Sequence, residues 1–338
     1  MSPKSAVHRL RLREGFRLCA SISALLLTAC ASHPPVNSND FGVLIMAHGG
    51  SAQWNEEVLA AVKPLEADHT IDVAFGMADA ATLQSSVQRL EARGARRISV
   101  VRLFISGDSF KEQTEQILGI APGAPQKPTV SADHAGHVDH GGAEHSMEFW
   151  RIATRSSFVL SEQGLVEAPE MGEVLIDRAR ALSREPQRED VLILAHGPGE
   201  DAENQRWLAH LDARAESVRN ALPFRTVRVE TLREDWPEKR AEAQARIRQF
   251  VADASQANRR AIVIPFRVQG FGPYAKVLEG LDYAADGQGL IPDPGVTRWI
   301  ANQIDTLQRG AFRAAASAPR TRAKERCEVP ALCGQRRE

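Results

Sequence analysis

Two short runs, LIMAHGG (44–50) and LILAHGP (192–198), each place a histidine behind a stretch of apolar residues and ahead of a glycine. Imidazole titrates near neutrality. Its neutral form binds Co2+, Ni2+, Zn2+ and Fe2+, and it can also accept a proton. A histidine that merely caps a strand end is the plainer reading of either one alone. Recurrence of His48 and His196 in one frame makes both candidate metal ligands. A second pattern is Asp133-His134-x-x-His137-x-Asp139-His140-x-x-x-Glu144-His145, which puts four histidines and three carboxylates within 13 residues of a chain that has ten histidines in all. Gly136, Gly141 and Gly142 let that stretch fold back on an ion. It has no single fixed coordination geometry, so His134, His137, His140 and His145 read as ligands for metal capture and buffering rather than for a structural site.

The elements that must position the two recurring histidines repeat as well. Val58, Leu59, Val62 and Leu65 fall on one helical face within 54–66, and Leu208, Leu211, Ala215 and Val218 on one face within 207–222. Strands are expected over 71–77 and 225–232, and helices over 82–93 and 237–254. Strands at 96–107 and 259–270 both open with Arg-Arg and close on Gly107 and Gly270. The halves also end alike, at 164–179 and 289–304, with a short strand, an acid, a proline and a closing helix. Strands alternating with helices give parallel sheets covered on both faces. The tandem match predicts two similar α/β domains, 41–186 and 187–309. Only the first half carries a long Gly/Pro/His-rich stretch (119–148), and loops of that length are functional or disordered. The five tryptophans read as packing anchors. The Arg96-Arg97 and Arg259-Arg260 pairs read as solvated strand ends or as contacts for ligand carboxylates.

The strand-His-Gly motif found twice, the order of strands and helices, the Gly-ending fourth strand and the duplication resemble the class II, ATP-independent tetrapyrrole chelatases. Within them the likeness is to the CbiX-type sirohydrochlorin cobaltochelatases, over most of 41–305. The resemblance implies two small doubly wound parallel sheets flanked by helices, with a tetrapyrrole bound near the carboxyl ends of the strands. It implies that His48 and His196 hold the divalent metal or accept a pyrrole proton, and that Glu230, at the end of a strand, is a catalytic acid. Co2+ is the foremost metal, with Ni2+, Zn2+ or Fe2+ as alternatives. One departure stands out. The family usually has a second histidine just after the glycine closing the fourth strand, whereas this chain reads Gly107-Asp108-Ser109 and Gly270-Phe271-Gly272.

The N-terminus reads as an address. Residues 1–29 carry five basic groups and one acid, and LCASISALLLTA (18–29) is too short to cross a bilayer as a helix, which takes ~20 residues. Leu27-Thr28-Ala29-Cys30 resembles a bacterial lipobox, which implies acylation (palmitate) of Cys30 as the mature N-terminus, followed by a polar tether over 30–40. Ala31, rather than an Asp, favours the outer membrane facing the periplasm. Cys327 and Cys333 lie in a basic tail (310–338), expected to be disordered, where they suit either a disulfide or a two-cysteine metal site.

The 338 residues carry 42 Lys+Arg, 43 Asp+Glu and 43% hydrophobic residues, which excludes a disordered chain, a disulfide-rich mini-protein and a multi-span membrane protein. The two ends are basic and the body between them acidic, which argues against nucleic acid as a partner and favours cations. No phosphate-binding P-loop, nucleophile elbow or zinc-protease motif is present. The expected function is an envelope-anchored chelatase-like lyase placing Co2+ or a related ion in a sirohydrochlorin-type tetrapyrrole. The alternative is a non-catalytic metal-scavenging lipoprotein on the same fold.

Overall fold

Runs such as FGVLIMA and EDVLILA are apolar over most of their length, so both faces of these strands must be covered. A computed structural model describes residues 40–128 and 147–316. The expectations for Cys30, for His134, His137, His140 and His145, and for Cys327 and Cys333 lie outside the described residues. The first repeat runs β1 (Phe41–Ala47), α1 (Ala52–Val62), β2 (Ile71–Phe75), α2 (Ala80–Ala92), β3 (Arg97–Leu103), α3 (Lys111–Ile117), β4 (Ser157–Leu160) and α4 (Glu170–Leu182). The second runs β5 (Glu189–Ala195), α5 (Asp201–Ala221), β6 (Thr226–Thr231), α6 (Pro237–Gln256), β7 (Arg260–Pro265), α7 (Tyr274–Val277) and α8 (Pro294–Gln308), and a short strand β8 (Arg313–Ala314) closes the described chain.

Two sheets result, ordered β2-β1-β3-β4-β8 and β6-β5-β7, parallel throughout except for β8. The strands that carry the histidines, β1 and β5, each lie between two neighbours. Alternate residues of each strand serve different cores. Val43, Ile45 and Ala47 of β1 share one core with Val191, Ile193 and Ala195 of β5, filled by residues of α1, α4, α5 and α8. The opposite faces, Leu44 and Met46 on one sheet and Leu192 and Leu194 on the other, pack under α2 and α6 respectively. The α/β architecture read from the sequence, a parallel sheet flanked by helices, is therefore present in both repeats.

The closing helices interlock the repeats. α8 packs on α1 and β3, and α4 on α5 and β7, so each half is finished by the other half's last helix. Thr297 on α8 donates to the Ala61 carbonyl at 2.7 Å. The repeated arginine pairs explain themselves here. Arg97 donates to the Gln308 carbonyl at the end of α8 (3.3 Å), and Arg260 to the Leu182 carbonyl at the end of α4 (2.7 Å). Both satisfy terminal helix carbonyls and complement the helix dipole. Arg97 and Arg260 thus serve helix ends and Arg259 pairs with Asp190, whereas Arg96 is exposed, the solvated end that was expected.

Three other expectations need correction. The short strands expected at 164 and 289 are single extended turns. Leu165 and Val166 donate to the carbonyls of Phe104 and Ile105, and Leu290 and Ile291 repeat this with Arg267 and Val268. The strand in that part of the first half is β4, which is only four residues long. Leu59 is 44% exposed, so α1 buries Val58, Ala61 and Val62 instead. Among the described residues no helix is long and apolar enough to cross a membrane.

Candidate functional site

In open parallel sheets the helices diverge beyond the carboxyl ends of the strands and leave a crevice there. β1 ends in His48-Gly49 and β5 in His196-Gly197. Each glycine lies in the left-handed region, with φ of 81° at Gly49 and 76° at Gly197, so the chain turns sharply just past the imidazole. A Cβ at Gly197 would also come within 2.6 Å of Thr231 Cβ. This backbone requirement is the physical content of the His-Gly repeat.

The structure brings His48 and His196 onto one cleft of about 520 Å3. Trp54, Met77, Phe104, Ile105, Phe110 and Val268 give it an apolar wall, and Glu234, Asp235, Arg267 and Gln269 are its polar part. Both repeats contribute. Gln269, after β7, donates to Glu57 on α1 at 2.8 Å and so ties them together at the cleft. The volume lies within the usual range for small-molecule sites.

The two imidazoles have different surroundings. His196 is half-buried, its ring edge-on to Trp207 at 4.8 Å. Burial, reinforced by the nearby Arg267 cation, pushes its pKa down to about 4, so it is neutral at pH 7 and its lone pair is available. His48 is exposed, 6.3 Å from the Trp54 ring, with Nδ1 2.8 Å from the Gly49 carbonyl. A proton on Nδ1, donated to that carbonyl, leaves Nε2 as the basic nitrogen.

Buried arginines hold the loops. The Arg233 N–H donates to the His196 carbonyl at 2.6 Å, and its guanidinium donates to the carbonyls of Pro198 and Gly199. Arg233 has φ of 57°, a strained conformation for a non-glycine residue that fixes the turn behind His196. Arg102, fully buried on β3, donates to the carbonyls of Gly107, Ser109 and Ser161 and holds the loop that brings Ser109 and Phe110 to the cleft. Arg267 donates to both oxygens of Glu234 at 2.9 and 3.0 Å.

Glu230 lies apart from this site. It is inside β6, pairs with Arg228 beside it and with Arg246 on α6, and does not line the cleft. The acids that do line it, Glu234 and Asp235, sit a few residues later, past the strand end. The rule that ligands bind beyond strand ends would have pointed there and to Arg267. Trp54, read as a packing anchor, is a wall of the cleft. Trp54 is half-buried against the shared core as well; Trp236 is exposed, whereas Trp150, Trp207 and Trp299 are buried as expected. Among the described residues no group of three or more His, Cys, Asp or Glu comes together to hold a metal ion.

No protein-family model and no curated protein matches the chain. Solved structures do. SirB from Bacillus subtilis with Fe3+ superposes with a TM-score of 0.56 at 11% identity, over 81% of this chain and 99% of that one. The sirohydrochlorin chelatase SirB from Bacillus subtilis subspecies spizizenii in complex with cobalt superposes with a TM-score of 0.51 at 11% identity, over 80% and 96%. With both repeats, their interlocked helices and the cleft at the strand ends in place, the chain has the fold of the class II tetrapyrrole chelatases.

Proposed function

We propose that the cleft binds a divalent metal ion and passes it to a flat tetrapyrrole, in the manner of a sirohydrochlorin-type chelatase. The observation that carries this reading is the convergence of His48 and His196, from equivalent places in two repeats, on one apolar-walled cleft. Insertion needs a ligand that releases its ion and bases that take two pyrrole protons. Among the described residues the two imidazoles have no third ligand grouped with them, a set that binds weakly enough for transfer. His196, neutral and held edge-on to Trp207, is ready to ligate without first losing a proton. His48, on the open side, is placed to accept a pyrrole proton once the ion has left it for the ring, and to release that proton to solvent. The aromatic wall offers a face to a conjugated ring. Likeness of fold to a protein solved with cobalt supports a borderline divalent metal, with Co2+ first.

The site lacks an imidazole after β3 and β7, which favours binding without turnover as the second reading. The same experiment separates the two. The protein is mixed with sirohydrochlorin and Co2+, and the absorbance of the metallated ring is followed. A rate above the metal-only control that falls at least tenfold in both His48→Ala and His196→Ala supports insertion. Cobalt binding lost in these variants, with no rate, supports the scavenger. We also propose, from the lipobox-like Leu27-Thr28-Ala29-Cys30, that the protein is held at the cell envelope through acylated Cys30. Labelled palmitate incorporated by the wild type and absent from Cys30→Ser tests this.

A further inference from the structure

A second pocket, of about 490 Å3, shares no lining residue with the cleft. It lies where the chain on either side of residues 129–146 meets the C-terminal strand, against the flank of α2. Three cations line it, Lys127, Arg151 and Arg155, and among the described residues no acidic one does. Among the described residues none of the three makes an ion pair, although arginines elsewhere on this acidic body are mostly paired, as Arg89, Arg178 and Arg298 are.

Two of the cations are held in place by neutral contacts, and Arg155 is exposed at the rim. Lys127 sits 4.5 Å over the centre of the Trp150 ring, and that ring is itself fixed by its Nε1 donating to Glu148 at 2.8 Å. Arg151 runs against Gly119, where an added Cβ would come within 3.0 Å of its Cδ. Its guanidinium faces the Gln126 side-chain amide, whose oxygen accepts from it when the amide is turned end for end. Carboxylates around the pocket face other donors, Glu148 among them through the Trp150 ring. One Glu91 oxygen accepts from the Thr154 and Ser156 hydroxyls and the Arg155 N–H, and Glu115 pairs with Arg313. A pocket lined by three positive side chains, two of them pre-ordered, and by no carboxylate among the described residues favours a multiply charged anion with several acceptor oxygens.

We propose that this pocket binds a phosphate-type oxyanion, held by Lys127, Arg151 and Arg155. The group reaches it either as a free phosphate or as the headgroup of an anionic phospholipid. The site does not depend on metal chemistry in the cleft.

The test uses the full chain carrying Cys30→Ser, so that no acyl anchor contributes. Inorganic phosphate and pyrophosphate are titrated by calorimetry, and flotation is measured with vesicles of phosphatidylcholine alone or with phosphatidylglycerol. Pyrophosphate is expected to bind one to one, at least tenfold more weakly after Lys127→Gln, Arg151→Gln and Arg155→Gln together. Arg155→Gln alone, at an exposed side chain, is expected to cost about threefold, and it decides the matter if the triple variant does not fold. Arg180→Gln, an exposed arginine elsewhere, should change nothing. Flotation with anionic vesicles that the variants abolish assigns the lipid source, and binding of the free anions without flotation assigns the soluble one. Absence of binding to either probe, or binding that these variants leave unchanged, overturns the proposal.

Discussion

Replacing His196 with Gln should make the protein less sensitive to acid. The pKa of His196 is pushed down from its ordinary 6.5 to about 4, first by burial beside Trp207 and then by the Arg267 charge. In the unfolded chain the same imidazole takes a proton as pH falls through 6.5, while the folded chain leaves it neutral until about 4. Stability is thus complete above pH 6.5 and is lost as pH falls towards 4. The full loss is about 3 kcal/mol, of which about 2 kcal/mol is gone by pH 5. Gln titrates nowhere in this range, and groups common to both proteins cancel. Urea unfolding followed by tryptophan fluorescence at pH 7.5, 6 and 5 should therefore show the wild type losing about 2 kcal/mol more than His196→Gln over that interval. Parallel losses in the two proteins would refute the burial argument, and with it the claim that His196 stands neutral in the cleft.

Other substitutions test the surroundings of the site. Gly272 has φ of 60°, and a Cβ there would meet Arg267 Nε at 2.7 Å; Gly272→Ala should cost about 1–2 kcal/mol and weaken Co2+ binding measured by calorimetry. Arg102→Met leaves the carbonyls of Gly107, Ser109 and Ser161 without their buried donor, a loss of about 3 kcal/mol that the urea midpoint would register. Trp299→Ala removes the largest fully buried side chain from the core common to both sheets and should cost about 3–5 kcal/mol. Because that core is shared, fluorescence and far-ultraviolet circular dichroism should still report one coincident transition; two separate transitions would contradict the interlock.

The repeat was legible because each half solves the same problem with the same residue types. Apolar runs buried on both faces read as parallel strands, and His-Gly marks a turn that needs a glycine at positive φ. Helix ends fell close to their expected places because Ser51, Asp79 and Asp293 cap three of them. β4 was missed because four residues show too little periodicity. The exchange of closing helices was hidden for a different reason. An amphipathic helix declares that it has a buried face, not which sheet covers it, and only Arg97 and Arg260 hinted at the reciprocal arrangement. At the site, the paired histidines were visible by recurrence. Glu230 misled because a carboxylate at the end of a strand can face a neighbouring helix, here Arg246 of α6, as easily as the crevice beyond it. Arg233 and Arg102 act through backbone carbonyls, a role that residue type alone does not announce.

The central claim is that an ion sits between the imidazoles of the two repeats. Crystals of the protein soaked with Co2+ and measured at the cobalt edge test it directly. The account predicts an anomalous peak in the cleft within bonding distance of both His48 and His196, absent from His196→Ala crystals. Cobalt found only elsewhere on the molecule, with the cleft empty, would contradict it.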